Sequence, residues 1–160
     1  MTLDAFPGAA PVAVSALDRA RRFYEGTLGL PPDAAVPEGL AGYPCGGGTQ
    51  LLVYPSRHAG TATATVATFM VDDVEAAVAG LADRGVVFER YDEPGIETDA
   101  RGIAGAPGMR VAWFRDPDGN TIALTAGDVD EAVSGMLTNG LAASGVNGES
   151  VPSGFSPNDA

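Results

Sequence analysis

Apolar positions along the chain change period twice, and each change marks an element. In "PVAVSALDRARRFYEGTLGL", Val12 and Val14 alternate as in a strand. Leu17, Ala20, Phe23, Tyr24 and Leu28 then recur at helical spacing until Gly29. In "VATFMVDDVEAAVAGLADRGVVF" the order repeats. Val66, Thr68 and Met70 alternate with Ala67, Phe69 and Val71; Val74, Ala77, Val78 and Leu81 then make a stripe that Gly85 ends. Ser15 with Asp18, and Asp72 with Glu75, have capping-box spacing and predict the two helix starts.

Both segments follow one plan. Val14, Leu17, Ala20 and Tyr24 fall on Val71, Val74, Ala77 and Leu81 at a constant offset of 57. Farther on, "GTQLLVY" from Gly48 matches "GNTIALT" from Gly119 at an offset of 71, so the second copy is longer by about 14 residues, within "DEPGIETDARGIAGAPG". Each copy reads strand, helix, then further strands closed by a hairpin turn, "GGG" at Gly46 and "DPDG" at Asp116. One helix cannot cover both faces of a sheet, so two halves pair, and a curved sheet with a concave side for a small molecule follows. After Leu124 the pattern fades. "GDVDEAVSGML" has the spacing of a short helix, and from about Thr138 the chain is rich in Gly, Ser, Asn and Pro, which predicts a disordered acidic tail within 128–160.

At 160 residues and 45% hydrophobic, the chain supports one domain with a true core. A formal net charge of −12 repels nucleic-acid phosphates and anionic membranes, so neither is an expected partner. All nine basic residues are Arg, which removes Schiff-base and P-loop lysine chemistry. A single His, His58, rules out a two-histidine metal site in one chain, and a single Cys, Cys45, rules out an internal disulfide. No basic stretch leads into an apolar run at the N-terminus, and no run approaches the ~20 residues of a membrane span, so the expected location is the cytoplasm.

"LD-x-A-x-x-FY-x-x-x-LGL" in the first helix and "F-x-D-P-D-G-N" in the last hairpin occur together and in order. On these motifs residues 8 to 126 resemble the vicinal oxygen chelate superfamily, which contains glyoxalase I, bleomycin-resistance and extradiol dioxygenase proteins. The resemblance implies an α+β fold of duplicated βαβββ modules, 8–56 and 63–127, forming a curved mixed sheet in a single domain 8–127. It also implies a homodimer in relatives of the drug-binding kind. Family enzymes hold a divalent metal from the first and last strands of each half, usually through His and Glu. Those positions fall here on Ala9, Leu52, Val66 and Ala123, all apolar, and a slip of register brings in only Gln50, Thr65 and Thr68. Such groups are poor ligands for a catalytic transition metal, so no cofactor is expected.

With the cup kept and the metal lost, binding rests on shape and stacking. Trp113 matches a cup-facing position of relatives, and alternation adds Val111. The same parity brings in Gln50, Leu52 and Tyr54 from the first copy, and Val66, Thr68, Met70, Thr121 and Ala123 from the second. The pocket so predicted is apolar and aromatic with a few polar handles, the usual make-up of a small-molecule site. The expected function is metal-free binding of a small aromatic or planar molecule, as in drug resistance or secondary metabolism. The alternative is a glyoxalase-like lyase or isomerase, or a ring-cleaving dioxygenase, and no catalytic residue is assigned. Cys45 reads as a small buried residue and His58 as an exposed loop residue. Glu89, Asp92, Glu93, Glu97 and Asp99 read as a solvated face that doubles as a lid hinged at Gly95, Gly102 and Gly105.

Overall fold

The structure, a computed structural model, describes Thr2, residues 8–106 and residues 108–127. The tail expected over 128–160 lies outside the described residues. Strand β1 (Ala9–Val14) leads into helix α1 (Leu17–Arg21), which widens into π-helical turns over Arg22–Thr27. β2 (Ala41–Pro44) and β3 (Gln50–Pro55) complete the first half. The second half is β4 (Thr65–Met70), α2 (Val74–Ala82), a short hairpin of β5 (Asp92–Glu93) and β6 (Ile96–Glu97), then β7 (Ile103–Ala106), β8 (Met109–Arg115) and β9 (Thr121–Gly127). The sheets run in the order β1-β3-β2 and β4-β9-β8-β7, mixed parallel and antiparallel, so the chain is α+β. Strands β1 and β4 lie beside one another where the halves meet.

Strand registers repeat between the halves. Ala10 pairs with Leu51 and Ala67 with Ile122; Gly42 pairs with Leu52 and Trp113 with Ala123. These partners are related by the two offsets read from the sequence. The copies differ in completeness, because the first forms three strands where the second forms four plus the added hairpin.

Helix starts shift by one residue from the expected caps. Ala16, without a side-chain cap, precedes α1, while Ser15 instead accepts from Arg19 through its hydroxyl and donates its N–H to Asp118. The cap of α2 is Asp73, not Asp72; its carboxylate accepts from the Ala76 N–H at 2.9 Å. Gly29 follows the first helix with φ 75° and Gly85 the second with φ 90°, the left-handed conformation that ends a helix at little cost for glycine.

Alternation in the strands decides where the core sits. Val12, Val14, Leu51, Val53, Ala67, Ala112, Phe114, Ile122 and Leu124 face the helices and pack with Ala20, Tyr24, Val74 and Val78 in one cluster. Each such large side chain contributes about 1.5–3 kcal/mol by leaving water. Polar contacts then lock the halves at the Asp116–Asn120 turn. Asn120 Nδ2 donates to Ala13 O at 2.8 Å, and Asp118 Oδ1 meets Arg19 at 2.7 Å and the Ser15 N–H at 3.0 Å.

Candidate ligand-binding face

Residues of the opposite parity lie on the sheet face turned away from the helices. Across β4, β9 and β8 two registered rows run side by side: Thr68, Ala123 and Trp113, then Met70, Thr125 and Val111, the second extended by Ala104 of β7. Val111, Trp113 and Ala123 form a small cluster of their own, separate from the main core, with Tyr91 and Ala104 against it. Thr68 and Met70, in the same rows, stand in solvent, Met70 at 63% exposure. Thr121 is buried at the start of β9. Val66 departs from the pattern and packs with the helix-side core, because the register of β4 on β9 shifts between Thr65 and Ala67.

On the first sheet Leu52 and Tyr54 are half-buried, paired with Pro11 and Ala13 of β1. Gln50 is half-buried as well, and its amide is engaged, donating to Asp33 Oδ2 at 3.2 Å. Gln50, Thr68 and Met70 come together in a groove of about 520 Å³ that runs between β1 and β4 and is bordered by Cys45 and Phe69. The register makes Gly42 the counterpart of Trp113. A Cβ on Gly42 would lie 2.4 Å from Val36 Cγ2, so the 31–40 loop fills on the first sheet the place that the indole takes on the second. The two halves of the cup are therefore unlike.

Tyr91 and Thr125 are absent from the sequence-based site. Tyr91 stands edge-to-face with Trp113, ring centroids 5.4 Å apart and planes at 88°. Burial, then the nearby Glu89 carboxylate, holds its phenol above the usual tyrosine range. Periodicity gave no sign of Tyr91, which lies in the irregular segment before the hairpin. Thr125 was open to the same parity reading as Thr121 and Ala123. Its hydroxyl is buried without a hydrogen-bond partner among the described residues.

The remaining candidates lie elsewhere. Cys45 is half-buried and donates its S–H to Tyr43 O at 3.4 Å; His58 is exposed and accepts from Arg57 Nε through Nε2 at 3.1 Å. In the acidic segment Asp92, Glu93 and Glu97 are exposed on the β5–β6 hairpin, and Glu89 pairs with Arg115 at 3.3 Å. Asp99 accepts from the Ile103 N–H at 3.0 Å and from Arg101, contacts that keep its carboxyl below the usual range.

A metal does not fit the family positions. Ala9, Leu52, Val66 and Ala123 offer no donor atom, Ala123 is buried, and the nearest amide, Gln50, is bonded to Asp33. Among the described residues no three His, Cys, Asp or Glu side chains gather as a metal site requires. The ten predicted site positions hold no carboxylate, imidazole or thiol; Val111, Trp113, Thr121 and Ala123 among them are buried, and Thr68 and Met70 are exposed.

Two mixed sheets, each from a strand–helix–strand half and joined where β1 and β4 meet, define a class of protein. The sequence model of the Glyoxalase/Bleomycin resistance protein/Dioxygenase superfamily matches residues 7–124, and the chain belongs to that superfamily. It is similar to the glyoxalase/bleomycin resistance protein of Catenulispora acidiphila DSM 44928, with 30% identity over 75% of this chain and 96% of that one and a TM-score of 0.55. It is also similar to TnmS3, an antibiotic binding protein from Streptomyces sp. CB03234, at 29% identity, 75% and 93% coverage, and TM-score 0.57. A glyoxalase/dioxygenase from Nostoc punctiforme shares the fold at 20% identity over 75% of this chain and 89% of that one, with a TM-score of 0.53. No curated protein matches the chain. Among the described residues no helix is long and apolar enough to cross a membrane.

Proposed function

We propose that this chain is a metal-free binding protein that holds a small planar aromatic molecule on the β4–β9–β8 face without transforming it. One observation carries the reading: Trp113 stands on a sheet face beside the buried apolar Val111 and Ala123 and the exposed Thr68 and Met70, none of which brings a carboxylate, imidazole or thiol. A ring set on such a surface gains stacking and burial, whereas bond cleavage needs a group that moves a proton or polarises an oxygen. The antibiotic binding recorded for TnmS3, at 29% identity, agrees with sequestration as the biological role. A homodimer in the cytoplasm, as in relatives of the drug-binding kind, would complete the pocket across its interface. A net charge of −12 favours cationic ligands through steering.

Trp113 is the sole tryptophan, so its emission reports the site directly. Titration with a panel of planar aromatic antibiotics is expected to change that emission to saturation, with the ligand recovered intact. Trp113→Ala should abolish binding while the protein stays folded. Ligand consumed over time overturns the reading, as does undiminished affinity in the variant. Manganese, iron(II), nickel and zinc should leave the melting temperature of chelator-treated protein unchanged. A bound metal at one hundred times its Kd would contribute ~2.7 kcal/mol, which a domain of this size shows plainly.

A further inference from the structure

Met70 is largely exposed on the same face where Trp113 is nine-tenths buried, with Tyr91 and Ala104 packed against the Trp113 cluster. The chain after α2 runs along the outer edge of β8: Phe88 bridges to Phe114 and the Glu89 N–H donates to Trp113 O at 2.8 Å. Beyond that point β7 takes over the edge, pairing with Met109 to Ala112. Tyr91 leaves the edge between these two stretches, and its ring meets the indole at 5.4 Å. Its backbone is pinned, because the Tyr91 N–H donates to Thr98 Oγ1 at 2.9 Å and the Thr98 N–H returns to Tyr91 O at 3.0 Å. The only aromatic neighbour of the Tyr91 ring among the described residues is Trp113.

We propose that Tyr91 is the specificity-determining residue of this face, selecting extended polycyclic planar molecules over single rings. The inference rests on the binding reading given above. With Tyr91 against the indole, a single ring finds the stacking surface of Trp113 already taken. The floor left open is Thr68 and Met70; Ala123, which stands between Thr68 and Trp113 in the row, is buried. Trp113 and Thr68 stand two strand spacings apart, roughly 10 Å, the length of a molecule of about three fused rings. A molecule that long sets one end against the Tyr91–Trp113 pair and lays its body over Thr68 and Met70. A single ring reaches only one of these contacts.

The test compares wild type, Tyr91→Ala and Tyr91→Phe in two measurements. Acrylamide quenching of Trp113 without ligand should rise in Tyr91→Ala and stay at the wild-type level in Tyr91→Phe, since it is the ring, not the hydroxyl, that covers the indole. Equilibrium dialysis then uses 9-aminoacridine and 4-aminopyridine, both cationic, so ring count is the main difference. Tyr91→Ala should lower the three-ring to one-ring affinity ratio about tenfold, by exposing the indole to small rings and removing a contact from large ones; Tyr91→Phe should keep the ratio within about twofold. Unchanged quenching in Tyr91→Ala overturns the proposal whatever the ligands do. Raised quenching with an unchanged ratio overturns the selectivity while leaving the binding reading intact. Binding of neither probe, nor of any compound in the antibiotic panel, by wild type or Tyr91→Ala overturns both. Should Tyr91→Ala fail to fold, Tyr91→Leu replaces it in both measurements.

Discussion

Tyr24 on the first helix donates its hydroxyl to Asp116 Oδ2 at 2.9 Å, joining the halves through buried side chains 92 residues apart in the chain. Asp116 also accepts from Asn120 Nδ2 at 2.8 Å through Oδ2, and from the backbone N–H groups of Asp118 and Asn120 through Oδ1. Tyr24→Phe leaves the carboxylate buried with one donor fewer, which is expected to cost about 1–3 kcal/mol in denaturant unfolding. Burial, then the charge of Asp116, holds the Tyr24 phenol far above its ordinary value. The unfolded chain therefore releases this proton first as pH rises past ~10, and wild type should lose stability there more steeply than Tyr24→Phe. Parallel alkaline slopes would show that the phenol is not held in the neutral form.

Gly102 has φ +85°, and a Cβ there would lie 2.7 Å from Glu89 O and 2.9 Å from Phe88 Cβ. Both atoms belong to the segment that carries Tyr91 onto Trp113. Gly102→Ala combines an unfavourable backbone conformation with a collision against main chain, and is expected to cost about 2 kcal/mol or more. Because the clash pushes on residues 88–89, the Trp113 emission should shift to the red in the folded variant. A variant with wild-type stability and emission would contradict the close approach.

Which of these relationships could be seen beforehand follows from their physical range. Sheet pairing is periodic, so the offsets 57 and 71 were enough to anticipate that Leu51 and Ile122 share a role and that Leu52 and Ala123 share the opposite one. The facing of Trp113 away from Ala112 and Phe114 follows from the same alternation. Val66 breaks the rule because a register shift is set by pairing between distant strands, which no local pattern encodes. Gly42 was reachable as the counterpart of Trp113 by subtracting the offset, but the filling of its place by Val36 depends on how a patternless loop folds back. Tyr91 is the same case on the second half. Periodicity identifies faces; it is silent about what irregular segments lay upon them.

Thr125 is 5% exposed and its Oγ1 has no hydrogen-bond partner among the described residues; its neighbours in the row, Met70 and Val111, are apolar. Burying an unpaired hydroxyl costs about 1–3 kcal/mol, and Val has the same branching without it. Thr125→Val is therefore expected to raise stability by about 1 kcal/mol, read from the denaturant midpoint at constant slope. Lower stability would mean that the hydroxyl is satisfied in the folded protein.

Asp99 is exposed, and its carboxyl is held low first by the Ile103 N–H and then by the Arg101 side chain and N–H. A carboxylate with a depressed folded pKa stabilises the native state above its unfolded value, near 3.9, and the contribution fades as pH falls through the folded value. Asp99→Asn should therefore melt below wild type at pH 7, with the gap closing as the pH is lowered past ~4. A gap that stays constant down to pH 2.5 would assign the effect to shape rather than charge.

Val36 and Gly42 supply the sharpest test of the unlike half-cups. A methyl at position 42 collides with Val36 Cγ2 at 2.4 Å, while Val36 Cβ lies at an ordinary 3.5 Å and the Gln50 amide, at 3.1 Å, sits on a flexible side chain. The backbone at Gly42 is that of a regular strand, without the positive φ that would penalise alanine by itself. Gly42→Ala alone should thus destabilise by about 1–3 kcal/mol through overpacking. Val36→Ala alone removes two half-buried methyl groups at a cost of about 1 kcal/mol. Together they should cost less than their sum by about 1 kcal/mol, since the second change vacates the space that the first needs. Strict additivity in the double-mutant cycle would mean that the 31–40 loop does not rest on the first sheet, and that both halves of the cup are open alike.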